Sequence, residues 1–247
     1  MKTMLITGAS RGIGAATAIL AAQHGYAVAV NYRNSRVAAQ EVVAQIREGG
    51  GEAVAIQGDV SREKEIVRLF SEVDDRLGRL DCLVNNAGTL ERHMPLAGVG
   101  YDRLQRMFQT NVLGPVRCCQ EAIKRMARSA GGRGGTIVNV SSIASRTGSP
   151  FEYVDYAMTK GALDALTIGL SKELAGEDIR VNAVRPAFIH TEIHAAGGEP
   201  GRIDRLKERI PLKRGGRAEE VAEAILWLAS GKSSYSTGIF LDVAGGA

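Results

Sequence analysis

Short apolar runs alternate along the chain with stretches whose apolar residues recur every three or four positions. Met4-Leu5-Ile6, Ala27 to Asn31, Val54-Ala55-Ile56, Asp81 to Val84, Thr136 to Val140, Arg180 to Val184 and Ile239 to Val243 read as strands. Helices are predicted between them over Gly12 to His24, Ser35 to Arg47, about Ser61 to Arg76, about Tyr101 to Arg128 and Ala218 to Ala229, with one more carrying Tyr156 and Lys160 to about Glu173. Ser61 is the expected N-cap of its helix, and Glu63 and Glu65 suit the first turn. Pro115 falls inside the long pattern, so a kink or irregularity is expected there.

The strands are nearly continuous apolar runs, as strands covered on both faces require. Regular β-α alternation implies parallel pairing with right-handed crossovers. The expected fold is therefore α/β, a single-domain, Rossmann-like doubly wound parallel sheet of about seven strands with helices on both faces. No Pro/Ser-rich linker or internal repeat divides the 247 residues. Such sheets bind ligands beyond the carboxyl ends of their strands, where this chain places its Gly, Asn and Ser residues.

Charge narrows the partners. The 31 basic residues are interspersed with 27 acidic ones, and aromatics make up 5% of the chain, which argues against nucleic-acid binding. No apolar run reaches the roughly 18 residues needed to span a bilayer, and no leader pattern opens the chain; a cytoplasmic location without membrane association is expected. Cys82, Cys118 and Cys119 lack metal-ligand spacing and read as buried reduced thiols. His190 and His194 stand four apart, but the intervening Glu192 is one place late for a zinc-protease helix, so no metal is expected and His194 reads as a pocket or surface residue.

Two motifs carry the chemistry. Thr7-Gly8-Ala9-Ser10-Arg11-Gly12-Ile13-Gly14 lies between the first strand and first helix. Glycines there allow a tight turn and close approach of a pyrophosphate to the helix N-terminus; an ordinary strand–helix turn would want one glycine rather than three. Farther along, Tyr156 and Lys160 are one helical turn apart on one face. The ammonium favours the phenolate, so the tyrosine is expected to exchange protons more readily near neutral pH. The stretch Tyr32-Arg33-Asn34-Ser35 has no carboxylate to grip a ribose diol, while Arg33 and Arg11 suit a 2′-phosphate. NADP(H) is thus expected over NAD, the alternative being that Arg33 is a solvated loop cation.

Together these residues resemble the short-chain dehydrogenase/reductase family. The shared elements are the Thr7 to Gly14 loop, Asp59-Val60, Asn85-Asn86-Ala87-Gly88, Asn111, Ser141-Ser142, Tyr156-x-x-x-Lys160 and Pro186 through Thr191. The resemblance implies that Asp59 and Val60 meet the adenine, and that Asn85, Ala87 and Gly88 line the middle of the cofactor. Pro186, Ala187, Ile189 and Thr191 are implied to follow it beyond the sixth strand. Ser142, Tyr156, Lys160 and Asn111 would form the catalytic relay, Lys160 also holding the nicotinamide ribose. Ser141 points to the other face of the strand and is expected to be structural.

Ala187 stands where the family commonly has glycine, so strain is expected there if φ is positive. The resemblance further implies a substrate lid at about 189–214, a homotetramer or homodimer, and hydride exchange with a small carbonyl or alcohol. Reduction of 3-oxoacyl thioesters and sugar or small-ketone oxidoreduction both fit. A dinucleotide-binding sensor without turnover is the rival reading.

Overall fold

The computed structural model describes residues 1–247. Seven strands form one sheet: β1 Lys2–Ile6, β2 Tyr26–Tyr32, β3 Ala53–Gln57, β4 Leu80–Asn85, β5 Gly135–Val140, β6 Ile179–Pro186 and β7 Phe240–Val243. Their spatial order is β3-β2-β1-β4-β5-β6-β7, and every pairing is parallel. Strand order reverses between β1 and β4, so the loops following those two strands open a crevice at the sheet's carboxyl edge.

Ten α-helices connect or flank the strands: α1 Gly12–Gln23, α2 Arg36–Glu48, α3 Glu63–Leu77, α4 Tyr101–Phe108, α5 Gly114–Met126, α6 Ala144–Thr147, α7 Val154–Glu173, α8 Ile193–Ala196, α9 Arg202–Leu206 and α10 Ala218–Ala229. Alternation along β1 explains why both sheet faces need covers. Met4 and Ile6 enter one core, with α1, α2 and α10 residues such as Ala18, Val42 and Ile225. Leu5, between them, enters the other, with Phe70 of α3 and Ala122 of α5.

The irregularity expected around Pro115 is present: the long helix is broken by a π-helical turn over Gln109–Leu113, ending two residues before Pro115. Pro115 lacks the N–H that a regular helix would return to the Asn111 carbonyl, and Gly114 N–H reaches back to Gln109 instead. Ser61 does not cap α3: Arg62 occupies that position, and the Ser61 hydroxyl and N–H both donate to Asp59 Oδ1, at 2.7 and 2.9 Å. Ala187 is not among the residues with positive φ, so alanine there carries no left-handed strain.

The three cysteines are buried and unpaired. Burial pushes the Cys82 and Cys119 thiols up to about 12 and raises Cys118 as well, which keeps all three protonated.

Candidate active site

The crevice is a cleft of about 380 Å³ lined by the loops after β1, β2, β3, β4, β5 and β6. On its floor, the turn after β1 needs glycine. Gly8 adopts φ +63°, and a Cβ there would lie 2.9 Å from the Ala87 Cα. At Gly14 a Cβ would meet the Asn86 amide at 2.5 Å and the Gly8 carbonyl at 2.6 Å, so α1 and the loop can approach only because the side chain is missing. Helix α1 then starts without a side-chain cap or an acidic residue in its first turn. Its free N–H groups and dipole are available to an anion.

Past β2, Tyr32, Arg33, Asn34 and Ser35 line the cleft together with Ser10, Arg11, Gly12 and Ile13. Arg11 and Arg33 are exposed, and no acidic residue follows β2 before Glu41. Asp59 and Val60 line the wall after β3. These features fit a dinucleotide carrying phosphates.

The loop after β4 divides differently from expectation. Asn85 is buried and turned into the protein, donating to Asn139 Oδ1 at 2.9 Å and facing Cys119; it does not line the cleft. Its neighbour Asn86 does, and its amide clamps the glycine loop through the Thr7 and Gly8 carbonyls at 2.9 and 3.0 Å. Alternation at the end of β4 was the available clue, since two consecutive residues cannot face the same way. Ala87 and Gly88 line the cleft, as do Pro186, Ala187, Ile189 and Thr191. Gly14 does not line it.

Ser142, Tyr156 and Lys160 share the cleft wall. Ser142 lies two residues beyond the end of β5 at Val140, and its Oγ accepts from the Ala144 N–H at 3.1 Å. Ser141 faces away, donating to Asp164 at 2.6 Å in the buried face of α7. On α7, the Lys160 ammonium donates to the Val140 carbonyl at 2.7 Å and lies 5.5 Å from the centre of the Tyr156 ring. Burial pushes Lys160 down to about 8, against the pull of Asp164. Burial also pushes the Tyr156 phenol up to about 12, the Ser142 hydroxyl acting the other way.

Desolvation therefore sets the phenol's proton affinity, and the group opposing it is the Ser142 hydroxyl rather than the ammonium that the spacing suggested. Below about pH 8 the wall presents a protonated phenol and a charged amine together. Asn111, in the π turn, is buried behind them; its side chain bonds Thr89 N–H and C=O at 2.8 and 2.9 Å and Thr159 at 3.2 Å. Gly88 stands between: a Cβ there would lie 3.5 Å from Asn111 Oδ1 and 3.7 Å from Lys160 Nζ.

Two ion networks hold α7 and the segment above it. Asp155 pairs with Arg103 of α4 at 2.6 Å and accepts from the Tyr156 N–H, tying the start of α7 to the loop carrying Arg92. Glu152 and Glu199 share Arg202 and Arg205, with Arg202 stacked over Tyr153 at 4.9 Å. Tyr153 also donates to the Gly197 carbonyl at 3.2 Å. The segment from Ile193 to Arg209 thus sits clamped onto the entrance to α7. His190 is exposed, whereas His194 is buried with Nε2 against the Ile189 carbonyl, so the pair does not converge.

A family model described as enoyl-(acyl carrier protein) reductase matches residues 8–247. A solved Serratia marcescens short-chain dehydrogenase/reductase superposes with a TM-score of 0.91 at 32% identity, covering 99% of this chain and 97% of that one. The chain is a short-chain dehydrogenase/reductase. An Escherichia coli relative named as the uncharacterized oxidoreductase YgfF is 57% identical over 246 residues, all of both chains. A Staphylococcus epidermidis protein named 3-oxoacyl-(acyl-carrier-protein) reductase FabG is 38% identical over 245 residues, 99% of this chain and 98% of that protein. As a short-chain dehydrogenase/reductase, the chain is an oxidoreductase that binds a nicotinamide cofactor and acts on small molecules. No helix is long and apolar enough to cross a membrane.

Proposed function

We propose that this protein is an NADPH-dependent carbonyl reductase. The observation that carries the reading is the single wall formed by Ser142, Tyr156 and Lys160, with the phenol protonated and the amine charged at neutral pH. The cofactor, when bound, supplies the hydride. Gly8, Ser10, Gly12 and Ile13 would cradle its pyrophosphate on the start of α1. Arg11 and Arg33, with Asn34 and Ser35, would hold the 2′-phosphate. Asp59 and Val60 would border the adenine, and Ala87, Gly88, Ala187, Ile189 and Thr191 the remainder.

Ser142 and Tyr156 donate hydrogen bonds to the substrate's carbonyl oxygen as negative charge grows there. Tyr156 then gives that oxygen its proton, which its raised pKa keeps in place until an alkoxide demands it. The Lys160 ammonium stabilises the resulting phenolate. The phenolate then regains a proton from Lys160, and the Asn111 backbone would hold a water through which solvent reprotonates that amine. The segment over residues 189–214 serves as substrate lid within this one domain.

Tyr101, Leu113, Met158 and Ile168, apolar yet exposed on α4, the π turn and α7, suit a homotetramer or homodimer. A sensor without turnover would gain nothing from burying a lysine against its charge. The similarity to a protein named as a 3-oxoacyl reductase favours 3-oxoacyl thioesters as one substrate class beside sugars and small ketones.

The test is NADPH and NADH oxidation against a panel holding all three classes and an enoyl thioester. Carbonyl reduction with NADPH preferred is expected, and Tyr156→Phe should lower kcat by about 10²–10⁴-fold while leaving NADPH affinity unchanged. Binding of NADPH without turnover of any compound would establish the sensor instead.

A further inference from the structure

A buried carboxylate behind the cleft wall holds the residues that immediately precede two of its lining groups. Asp164 lies on α7 one helical turn beyond Lys160, as Lys160 lies one turn beyond Tyr156. Its Oδ1 accepts from the hydroxyl of Ser141, the neighbour of Ser142, at 2.6 Å. Its Oδ2 accepts from Arg185 Nη2 and Nε at 2.7 and 3.0 Å. Arg185 in turn precedes Pro186, whose carbonyl accepts from the Ile143 N–H at 3.0 Å and lies 3.5 Å from the Ser142 Oγ.

The far side of the pair is fixed as well. The Arg185 guanidinium stacks 3.9 Å from the centre of the Phe240 ring and stands 3.8 Å from Asp242 of β7. Asp242 pairs with Arg146 on α6, the helix that begins two residues after Ser142. Contacts thus run from Ser141 through Asp164, Arg185 and Asp242 to Arg146, and Ser142 lies on the short stretch of chain that closes the ring. The Arg146 end is exposed and screened by water, whereas Asp164 is 8% exposed. The inner link is therefore the rigid one. A buried ion pair adds little net stability over apolar side chains of similar volume, but a bidentate pair is directional. Apolar residues would cover α7 equally well without fixing where β5 and β6 end.

We propose that Asp164 is a positioning residue: through Ser141 and Arg185 it sets where the Ser142 hydroxyl stands relative to Tyr156 on its own helix. The inference rests on the carbonyl-reductase reading and adds a residue to it. Neither Asp164 nor Arg185 lines the cleft, so both reach the reaction only through their partners.

The experiment measures kcat and KM for carbonyl reduction, and NADPH affinity by fluorescence titration, in Asp164→Asn, Ser142→Ala and the double variant. Asp164→Asn should lower kcat about 10- to 100-fold, as a misplacement of up to about 1 Å does, with NADPH affinity unchanged. In the Ser142→Ala background the same substitution should cost less than about 3-fold, because the hydroxyl it places is already gone. Ser141→Ala leaves the ion pair intact and tests the same link should Asp164→Asn fail to fold; it should lower kcat in the same direction, and Ser141→Thr, which keeps a hydroxyl, should restore it. Unchanged kcat in Asp164→Asn or Ser141→Ala, or an equal loss with and without the Ser142 hydroxyl, overturns the proposal while leaving carbonyl reduction intact. Absence of wild-type turnover with every carbonyl overturns both.

Discussion

Replacing Lys160 by methionine should stabilise this protein while inactivating it. Burial brings the Lys160 pKa from 10.5 down to about 8, and a tenfold change in proton affinity corresponds to about 1.4 kcal/mol. Holding the lysine charged at pH 7 therefore costs the fold about 3 kcal/mol relative to its neutral form. Methionine fills the same space without charge but leaves the Val140 carbonyl, now 2.7 Å from the ammonium, without its donor; that loss is about 1 kcal/mol. The net gain is about 2 kcal/mol, or roughly 4–8 °C in Tm for a domain of this size.

The sign with pH is fixed. Below about pH 8 the lysine is protonated in both states and only the folded state bears the desolvation. Between about 8 and 10.5 the folded lysine releases its proton while the unfolded one keeps it, so wild-type stability rises with pH and the variant's advantage shrinks. Urea unfolding at pH 7 and pH 9.5, at one protomer concentration, measures the difference. A Lys160→Met protein less stable than wild type at pH 7, or an advantage independent of pH, refutes the reasoning.

Two other changes probe different parts of the site. Arg33→Ala should raise KM for NADPH about 10-fold or more, a charge-assisted contact being worth about 1.5–3 kcal/mol, and leave KM for NADH nearly unchanged; parallel losses with both cofactors in steady-state assays would place Arg33 outside the 2′-phosphate site. Asp155→Asn leaves the buried Arg103 guanidinium, 2.6 Å away, without its counter-charge, so about 3 kcal/mol or more of stability should disappear in urea titration. An unchanged midpoint would mean that water or Arg92's carbonyl already satisfies Arg103.

What the sequence revealed and what it withheld separate along physical lines. Strand and helix types came from local periodicity, and α10 even lies at the predicted Ala218 and Ala229 bounds, because an apolar stripe needs no distant partner to declare itself. The spacing of Tyr156 and Lys160 and the three loop glycines were equally local. Side-chain direction at strand ends was not. Asn85 and Asn86 are identical residues, and only the last register position of β4, paired Asn85 to Asn139, sends one inward and leaves the other in the cleft. Strain at Ala187 depended on a positive φ that its sequence position could not reveal, and its N–H simply continues the ladder to the Val243 carbonyl at 3.2 Å. The clamp of Arg202 on Glu152 joins residues 50 apart in sequence, beyond any pattern rule.

The proton affinities of Tyr156 and Lys160 show the same division most plainly. An i, i+4 spacing argues that the ammonium acidifies the phenol, and in water that would be the whole effect. In the folded chain both groups project from α7 into surroundings that oppose charge on either one. The phenol rises to about 12 and the amine falls to about 8. Below pH 8 this leaves the tyrosine as a reluctant acid beside a cation that can stabilise its conjugate base but has not yet done so. Such a pair gives up its proton when a stronger base forms nearby, and in the proposed reduction an alkoxide at the cleft wall would be that base. On that proposal the wall favours the reducing direction at neutral pH, by burial rather than by the attraction that the spacing alone suggested.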